Sequence, residues 1–214
     1  MPYEPDPGDE APGSERLAFQ ASREVRHTVI RVISAHFRDD AAVSWQGLDL
    51  DFTGTVFDGG DFSRAEFSGG RVCFDSAKFA GGTVRFDWAR FSGGQVSFGE
   101  AEFSGGVVIF DFAKFSSGQV GFYDAKFSGG AITFGASFSG GVVIFDRAEF
   151  SGGRAVFALA EFSGGAVDFR GAEFSGGQVD FSFPRDWSSP PVFPWTDTPP
   201  RGVKLPKKED QSPA

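Results

Sequence analysis

Few side chains in this sequence could carry out catalytic or metal chemistry. The histidines, His27 and His36, are nine residues apart, and Cys73 is the single cysteine. Two His ligands on one helix face need a spacing of about four residues, and a cysteine or serine nucleophile needs a base beside it. The recurring F-S-G-G segments lack the lysine and following helix of a phosphate loop. The sequence therefore predicts no catalytic residue, no metal site and no cofactor, and we expect no enzyme activity.

Phenylalanine and glycine dominate the composition. The chain has 28 Phe and 30 Gly in 214 residues, whereas glycine makes up about 7% of an ordinary domain. Each glycine inside a helix costs about 1 kcal/mol, so this composition excludes a helix bundle. Such a strong bias indicates internal repeats.

The repeats have a regular spacing of phenylalanine. Phe52, Phe57, Phe62 and Phe67 lie five residues apart, and from Gly70 a twelve-residue unit, G-x-V-x-F-x-x-A-x-F-S-G, recurs. The V-x-F and A-x-F triplets put both apolar residues on one face of a very short strand. Glycine supplies the positive φ that a tight turn needs. The pattern predicts an all-β solenoid with phenylalanine stacked in its interior.

The residue just before the alanine of each unit indicates how many units form one coil, meaning one full turn of the solenoid. In alternate copies it is polar or small, and in the others it is bulky and apolar, except in the sixth copy (130–140), which lacks one residue at this place. The first series is Ser76, Glu100, Asp124, Arg147 and Gly171, and the second is Trp88, Phe112, Leu159 and Phe183. Two units per coil explain this alternation, so we predict four-sided coils of mostly 24 residues, about six of them.

These residues resemble the pentapeptide-repeat family. LDFTG, TVFDG, GDFSR and AEFSG match its five-residue units, and the V-x-F-x-x-A-x-F-S-G units look like a Phe-rich variant. The segment EVRHTVIRVISAHFR with AAVSWQGLDLDFTG resembles the part that precedes the repeats in actinobacterial members. The resemblance implies a right-handed quadrilateral β-helix. Well-understood members of this family are acidic, resemble DNA and bind DNA gyrase, a type II topoisomerase. The resemblance therefore implies gyrase binding as one function to consider.

Outside the repeats, we expect three further segments. Residues 1–13 are rich in proline, glycine and acids and are predicted to be disordered. Residues 14–47 contain a helix and cap, with Leu17, Ala21, Val25, Val29, Ile33 and Phe37 recurring at i+4. The solenoid spans 48–183. Residues 184–214 are predicted to form an extended Pro/aromatic tail with a disordered end, and the helix and tail are expected to cap the two ends.

The bulky corner series is the candidate interaction surface. Left bare, it would form an apolar strip of the kind that marks an interface. The strip could be covered by this chain, through the helix or the tail, by a second copy in a homodimer, or by an unknown protein partner. The candidate residues are Trp88, Phe112, Leu159 and Phe183 of the corner with Trp187, Phe193 and Trp195 of the tail.

The charge of the chain limits its partners. The net charge is −9, which disfavours direct binding of nucleic acid or of an anionic membrane. No apolar run is long enough to span a membrane, and the lone cysteine fits the cytoplasm. We therefore predict a non-catalytic scaffold for protein–protein interaction. The alternative is an acidic DNA mimic that binds gyrase, although lysines and glutamates share the same repeat position, as Lys78 and Glu102 do.

Overall fold

The computed structural model describes residues 5–207, and its core is a parallel β-solenoid. Residues 1–4 and 208–214, at the ends where the sequence predicts disorder, lie outside the described part. One helix, α1, spans Gly13–His36. The strands are β1 Leu50–Asp51, β2 Val56–Phe57, β3 Gly60–Asp61, β4 Glu66–Cys73, β5 Lys78–Phe79, β6 Thr83–Arg85, β7 Arg90–Ser97, β8 Glu102–Phe103, β9 Val107–Ile109, β10 Lys114–Phe115, β11 Gln119–Gly121, β12 Lys126–Phe127, β13 Ala131–Thr133, β14 Ser137–Phe138, β15 Val142–Ile144, β16 Glu149–Phe150, β17 Arg154–Val156, β18 Glu161–Phe162, β19 Ala166–Asp168, β20 Glu173–Phe174, β21 Gln178–Asp180 and β22 Val203–Lys204.

The strands stack coil on coil into the sides of a four-sided tube. One sheet has the order β2-β5-β8-β12-β16-β20, and a second has the order β22-β21-β17-β13-β9-β6-β3. The other two sides form one nine-stranded sheet, because β4 and β7 run through the corner between them. Val96 pairs with Val120, 24 residues further on. The predicted β-solenoid of about six turns and about 24 residues per coil is confirmed.

The interior is built from ladders of stacked phenylalanine rings. Along one ladder, Phe62, Phe86, Phe110, Phe134, Phe157 and Phe181 stack at centroid distances of 4.5–5.0 Å. A second ladder meets it edge-on, as Phe98 meets Phe86 at 5.9 Å and 83°. Burial of each ring contributes about 1.5–3 kcal/mol relative to exposure, so these ladders are the main source of stability.

Glycine is required where successive coils meet most closely. Gly94 has φ of +67°, and a Cβ built there would lie 2.6 Å from the carbonyl carbon of Gly69 in the coil below. No larger residue fits such a contact without moving the backbone. The glycine pairs of the repeat therefore set the distance between coils at two corners of the tube, since Gly106 meets Gly81 in the same way.

Helix α1 closes the first coil. Phe37, just after the helix, is buried and packs on Phe67 at 5.5 Å. Arg26 and His27 both contact the buried carboxylate of Asp58, the histidine at 3.2 Å. The expected apolar face is wrong in part, because Leu17, Val25 and Val29 of that series are more than half exposed. The helix turns its Phe19–Ile30 side to the solenoid instead, since a strict i+4 series drifts around a helix of 3.6 residues per turn.

The segment after residue 183 continues the winding of the solenoid. Val203 pairs with Val179, 24 residues earlier, and Val192 forms a bridge with Asp168, also 24 residues earlier. Prolines limit this last coil to bridges and one two-residue strand, because proline cannot donate to a strand ladder. Within residues 5–207 no helix is long and apolar enough to cross a membrane.

Candidate protein-binding surface

The corner residues of the repeat share an unusual backbone conformation. Arg64, Ser76, Trp88, Glu100, Phe112, Asp124, Arg147, Leu159 and Phe183 all have φ between +53° and +65°. This left-handed region costs an L-residue roughly 1–2 kcal/mol, and Gly, Asn and Asp tolerate it best. At bulky residues such a conformation is an outlier that suggests a function. The non-glycine residues of the two corner series predicted from the sequence therefore share one turn conformation.

Along one corner, four bulky apolar residues point outward, and we call them the corner strip: Trp88, Phe112, Leu159 and Phe183. Their exposed fractions are 53%, 46%, 53% and 63%. Trp88 and Phe112 lie on adjacent coils with rings stacked at 4.6 Å. The candidate residues of the corner thus form one open row, which neither α1 nor the chain after residue 183 covers.

A notch interrupts the corner strip between Phe112 and Leu159. The sixth copy lacks its corner residue, so the coil between these two presents only Gly135, Ala136 and Ser137. Ala136 and Phe138 remain buried, which confirms that the missing residue leaves the core pattern intact. Two coil spacings separate the walls, about 10 Å at ~4.8 Å per coil. The notch has a volume of about 410 Å³, enough for a large apolar side chain.

Beside Trp88 and Phe112 lies a groove with an excess of positive charge. Its volume is about 530 Å³, and its charged lining comprises Arg38, Arg64, Arg90 and Lys114 against Asp39 and Asp40. Arg90 forms ion pairs with Asp39 at 2.8 Å and with the buried Glu66 at 3.7 Å. With Glu66 counted, four cations against three acids leave +1 in a chain whose total is −9. The corner strip is therefore flanked by a local field that attracts acidic groups.

The opposite flank of the strip is largely apolar. The outward side chains of β9, β13 and β17 include Val107, Ile109, Ala131 and Val156, all half-buried. These strands form neighbouring rungs of one sheet. An apolar patch, bordered by the exposed Arg154, lies on one side of the strip, and a cationic groove lies on the other.

The tail aromatics do not lie on the corner strip. Trp187 meets Phe162 edge-on at 5.2 Å, Phe193 stacks on Phe169 at 5.7 Å, and Trp195 meets Phe174 at 5.1 Å. Each lies over the last ring of a phenylalanine ladder. The structure thus separates the seven candidate residues into a corner strip of four and an end cap of three.

The residues considered for catalysis have structural partners. His36 stacks on Trp45 at 4.2 Å, and its Nδ1 lies 2.7 Å from the carbonyl oxygen of Val43. Cys73 donates to Asp75 at 2.9 Å. Burial alone would raise the pKa of Asp75, but hydrogen bonds from Cys73, Ser97 and the Gly99 N–H hold it below its usual range. Among residues 5–207 no three His, Cys, Asp or Glu side chains cluster as metal ligands.

Arg64, Arg38 and the shape of the notch were missed by the sequence reasoning. Arg64 stands at the start of the corner series, in GDFSRAEF, and the repeat alignment could have found it. The side chain of Arg38 reaches the groove only because α1 ends where it does, and no sequence pattern gives that. The deletion in the sixth copy was visible in the sequence. The notch itself forms only because the coils below and above carry Phe112 and Leu159 at the same corner.

Comparison with known proteins finds only solved structures of low identity and low TM-score. A scan against family models finds no match, and no curated protein matches. Among solved structures, a trypsin-treated form of QnrB1, described as a plasmid-mediated fluoroquinolone resistance protein, is 18% identical. It covers 77% of this chain and 89% of its own, with a TM-score of 0.25. HetL, a pentapeptide repeat protein of the cyanobacterium Nostoc, is 13% identical over 70% and 90%, with a TM-score of 0.13.

Such low TM-scores carry no functional argument. The architecture is defined by features of this chain: a β-solenoid of about 24 residues per coil, short parallel strands and phenylalanine at regular spacing. This architecture is consistent with a Phe-rich pentapeptide-repeat protein, as the sequence predicts.

Proposed function

We propose that this chain is a non-catalytic cytoplasmic scaffold whose corner strip binds a partner protein. The observation that supports it is the exposure of Trp88, Phe112, Leu159 and Phe183 in a backbone conformation that disfavours bulky side chains. Asparagine or glycine would fit these corners at a lower cost in stability. Bulky apolar residues at these corners therefore make the solenoid less stable, and in this proposal they provide the surface that binds the partner.

The chemistry of the surface indicates what the partner presents. A row of apolar side chains with a notch fits an extended segment that inserts a large apolar residue between Phe112 and Leu159. The adjacent cations, among them Arg64 and Lys114, fit carboxylates on the same segment. We therefore expect an acidic segment that carries aromatic or aliphatic anchors, since such anchors dominate binding energy at interfaces.

Paired corner variants test this proposal. Trp88→Asn/Phe112→Asn removes the stacked pair with a residue that tolerates positive φ. Ser76→Asn places the same residue at the polar corner, where φ is also positive, without a change of charge and is the matched control. We expect binding of acidic peptides with one central Trp, measured by fluorescence anisotropy, to weaken at least about tenfold, or 1.4 kcal/mol, in the first variant only. Equal binding by both variants would contradict the proposal.

Action on gyrase is the alternative, and the charge pattern disfavours it. On one side of the tube, Lys78, Glu102, Lys126 and Glu149 follow one another on successive coils, and Lys78 pairs with Glu102 at 3.6 Å. Duplex DNA carries an unbroken row of negative charge, one per ~1.7 Å. We expect gyrase supercoiling to be unaffected by this protein, and inhibition at micromolar concentration would support the alternative.

A further inference from the structure

Helix α1 has two apolar faces, and only one of them packs on the solenoid. Phe19, Ile30 and Ser34 are its buried residues. On the opposite side, Leu17, Val25, Val29 and Val32 are exposed by 68%, 51%, 52% and 50%. On an ordinary protein surface, exposed apolar residues are scattered singly. Four large exposed apolar side chains on one side of a 24-residue helix therefore need an explanation.

The exposed face follows a heptad pattern. Residues at alternating spacings of four and three form a continuous row, which we call the free seam: Ser14, Ala18, Ala21, Val25, Thr28, Val32 and Ala35. All seven are exposed; Val25 and Val32 belong to this row, and Leu17 and Val29 lie at its edges. Apolar residues at this spacing are the signature of a helix that packs along another helix. Every buried residue of α1 lies outside the free seam, so the seam is open while α1 caps the solenoid.

The charges beside the free seam identify its occupant. Glu24 and Arg31 lie on the same edge of the seam, one heptad apart. In an antiparallel pair of α1 helices with Val25 facing Thr28, Glu24 of each copy meets Arg31 of the other. A parallel pair would bring Arg31 towards His36 and leave Glu24 without a cation. We propose that the free seam pairs antiparallel with the free seam of a second copy of this chain.

The size of the seam sets the expected strength. A helix of 24 residues is about 36 Å long, and small Ala side chains allow a close approach. The seam contains no leucine, so it buries less apolar area than a leucine zipper. Thr28 already accepts a hydrogen bond from Arg31 at 3.2 Å, which keeps the arginine at the seam edge. We expect a reversible dimer in the micromolar range, in line with a small interface.

Charge reversal with rescue tests the pairing. Glu24→Arg and Arg31→Glu each place like charges opposite one another twice, and the double variant Glu24→Arg/Arg31→Glu restores both pairs. Sedimentation equilibrium from about 1 to 200 µM covers the range of a weak interface. We expect each single variant to raise the dissociation constant at least about tenfold, and the double variant to return towards the parent chain.

A matched control and a folding check accompany these variants. Arg16→Glu makes the same charge change on α1 away from the free seam and should dimerise like the parent. Circular dichroism of every variant checks that the solenoid and helix are intact. A parent chain that stays monomeric up to 200 µM, or a double variant no better than the singles, would overturn the proposal.

The orientation of the pair is tested by cross-linking in a Cys73→Ser background. Ala18 faces Ala35 of the second copy only in the antiparallel arrangement. We expect a disulfide between an Ala18→Cys chain and an Ala35→Cys chain when the two are mixed. Efficient cross-linking of Ala18→Cys with itself would overturn the antiparallel arrangement. Dimerisation by Trp88→Asn/Phe112→Asn should be unchanged, and its loss would place the dimer at the corner strip instead.

Discussion

Phenylalanine has two different roles in this molecule, and Phe110 and Phe112, two residues apart in one coil, show one role each. Phe110 is fully buried and stacks at 4.8 Å on Phe86 below and at 4.9 Å on Phe134 above. Phe112, two residues later, lies in the corner strip and is 46% exposed. The residue type is the same, but the first side chain stabilises the solenoid and the second forms part of the surface that we propose for binding.

This difference predicts opposite effects of substitution. Phe110→Ala should lower the free energy of unfolding by about 3–5 kcal/mol, because it leaves a cavity between stacked rings. Phe112→Asn should change it by no more than about 1 kcal/mol, because the lost stacking on Trp88 and the relief of the corner conformation oppose one another. Urea denaturation measures both values. Similar losses in the two variants would show that the corner ring is part of the core.

At the scale of elements, α1 is held to the solenoid by a polar anchor as well as by apolar contacts. The carboxylate of Asp58 accepts from Arg26 and lies 3.2 Å from His27, and its side chain is 11% exposed. A glycine at position 59 permits this approach, because a Cβ there would lie 2.8 Å from the His27 ring. The anchor therefore fixes the angle at which the helix crosses the first coil.

Removal of the anchor charge should loosen the helix selectively. Asp58→Asn is expected to cost about 1.5–3 kcal/mol, the range for hydrogen bonds to charged groups. Hydrogen exchange should speed up in α1 and in β3, and stay slow in the central strands β9 to β15. Glu15→Gln, an exposed change in the first turn of α1, is the control. Uniform acceleration across all coils would show that the helix and solenoid unfold as one unit.

At the scale of the whole molecule, stability depends on closing two open ends. A solenoid exposes unpaired strand edges and apolar rings at each terminus. Here the last rings of three ladders, Phe162, Phe169 and Phe174, are covered by Trp187, Phe193 and Trp195, and the last ring of the fourth, Phe181, packs edge-on against Phe193. We therefore expect the aromatic residues after residue 183 to prevent end-to-end association of solenoids.

Truncation after residue 183 tests the role of this cap. The shortened chain should keep a β-rich circular dichroism spectrum but form higher oligomers in light scattering, because the exposed rings and strand edges pair with other copies. Trp88, Phe112 and Leu159 of the corner strip stay within the remaining coils, so peptide binding per folded chain should persist. A shortened chain with the same oligomeric state as the parent would contradict the capping role.

The repeating part of the structure could be predicted because it is specified locally. Each coil contacts only its neighbours, so the V-x-F and A-x-F pattern by itself gives the strand faces and the inward rings. The alternation at the corner, Ser76 against Trp88, was enough to choose 24 residues over 12. Even the missing residue near Gly135 could be placed at a corner, because a deletion inside a strand would reverse its faces.

The contacts made only once could not be predicted. Nothing in the order of residues says that Trp195 lies over Phe174, or that α1 turns Ile30 rather than Val29 towards the solenoid. Such choices depend on the shape of the two open ends, which exists only after the coils have stacked. The sequence by itself determined a Phe-filled solenoid and its exposed corner series. Caps at both ends were expected from the sequence, but only the tertiary structure decided that the tail aromatics lie over the end rings and leave the corner strip open, because they gain more burial over bare end rings than along an already packed side.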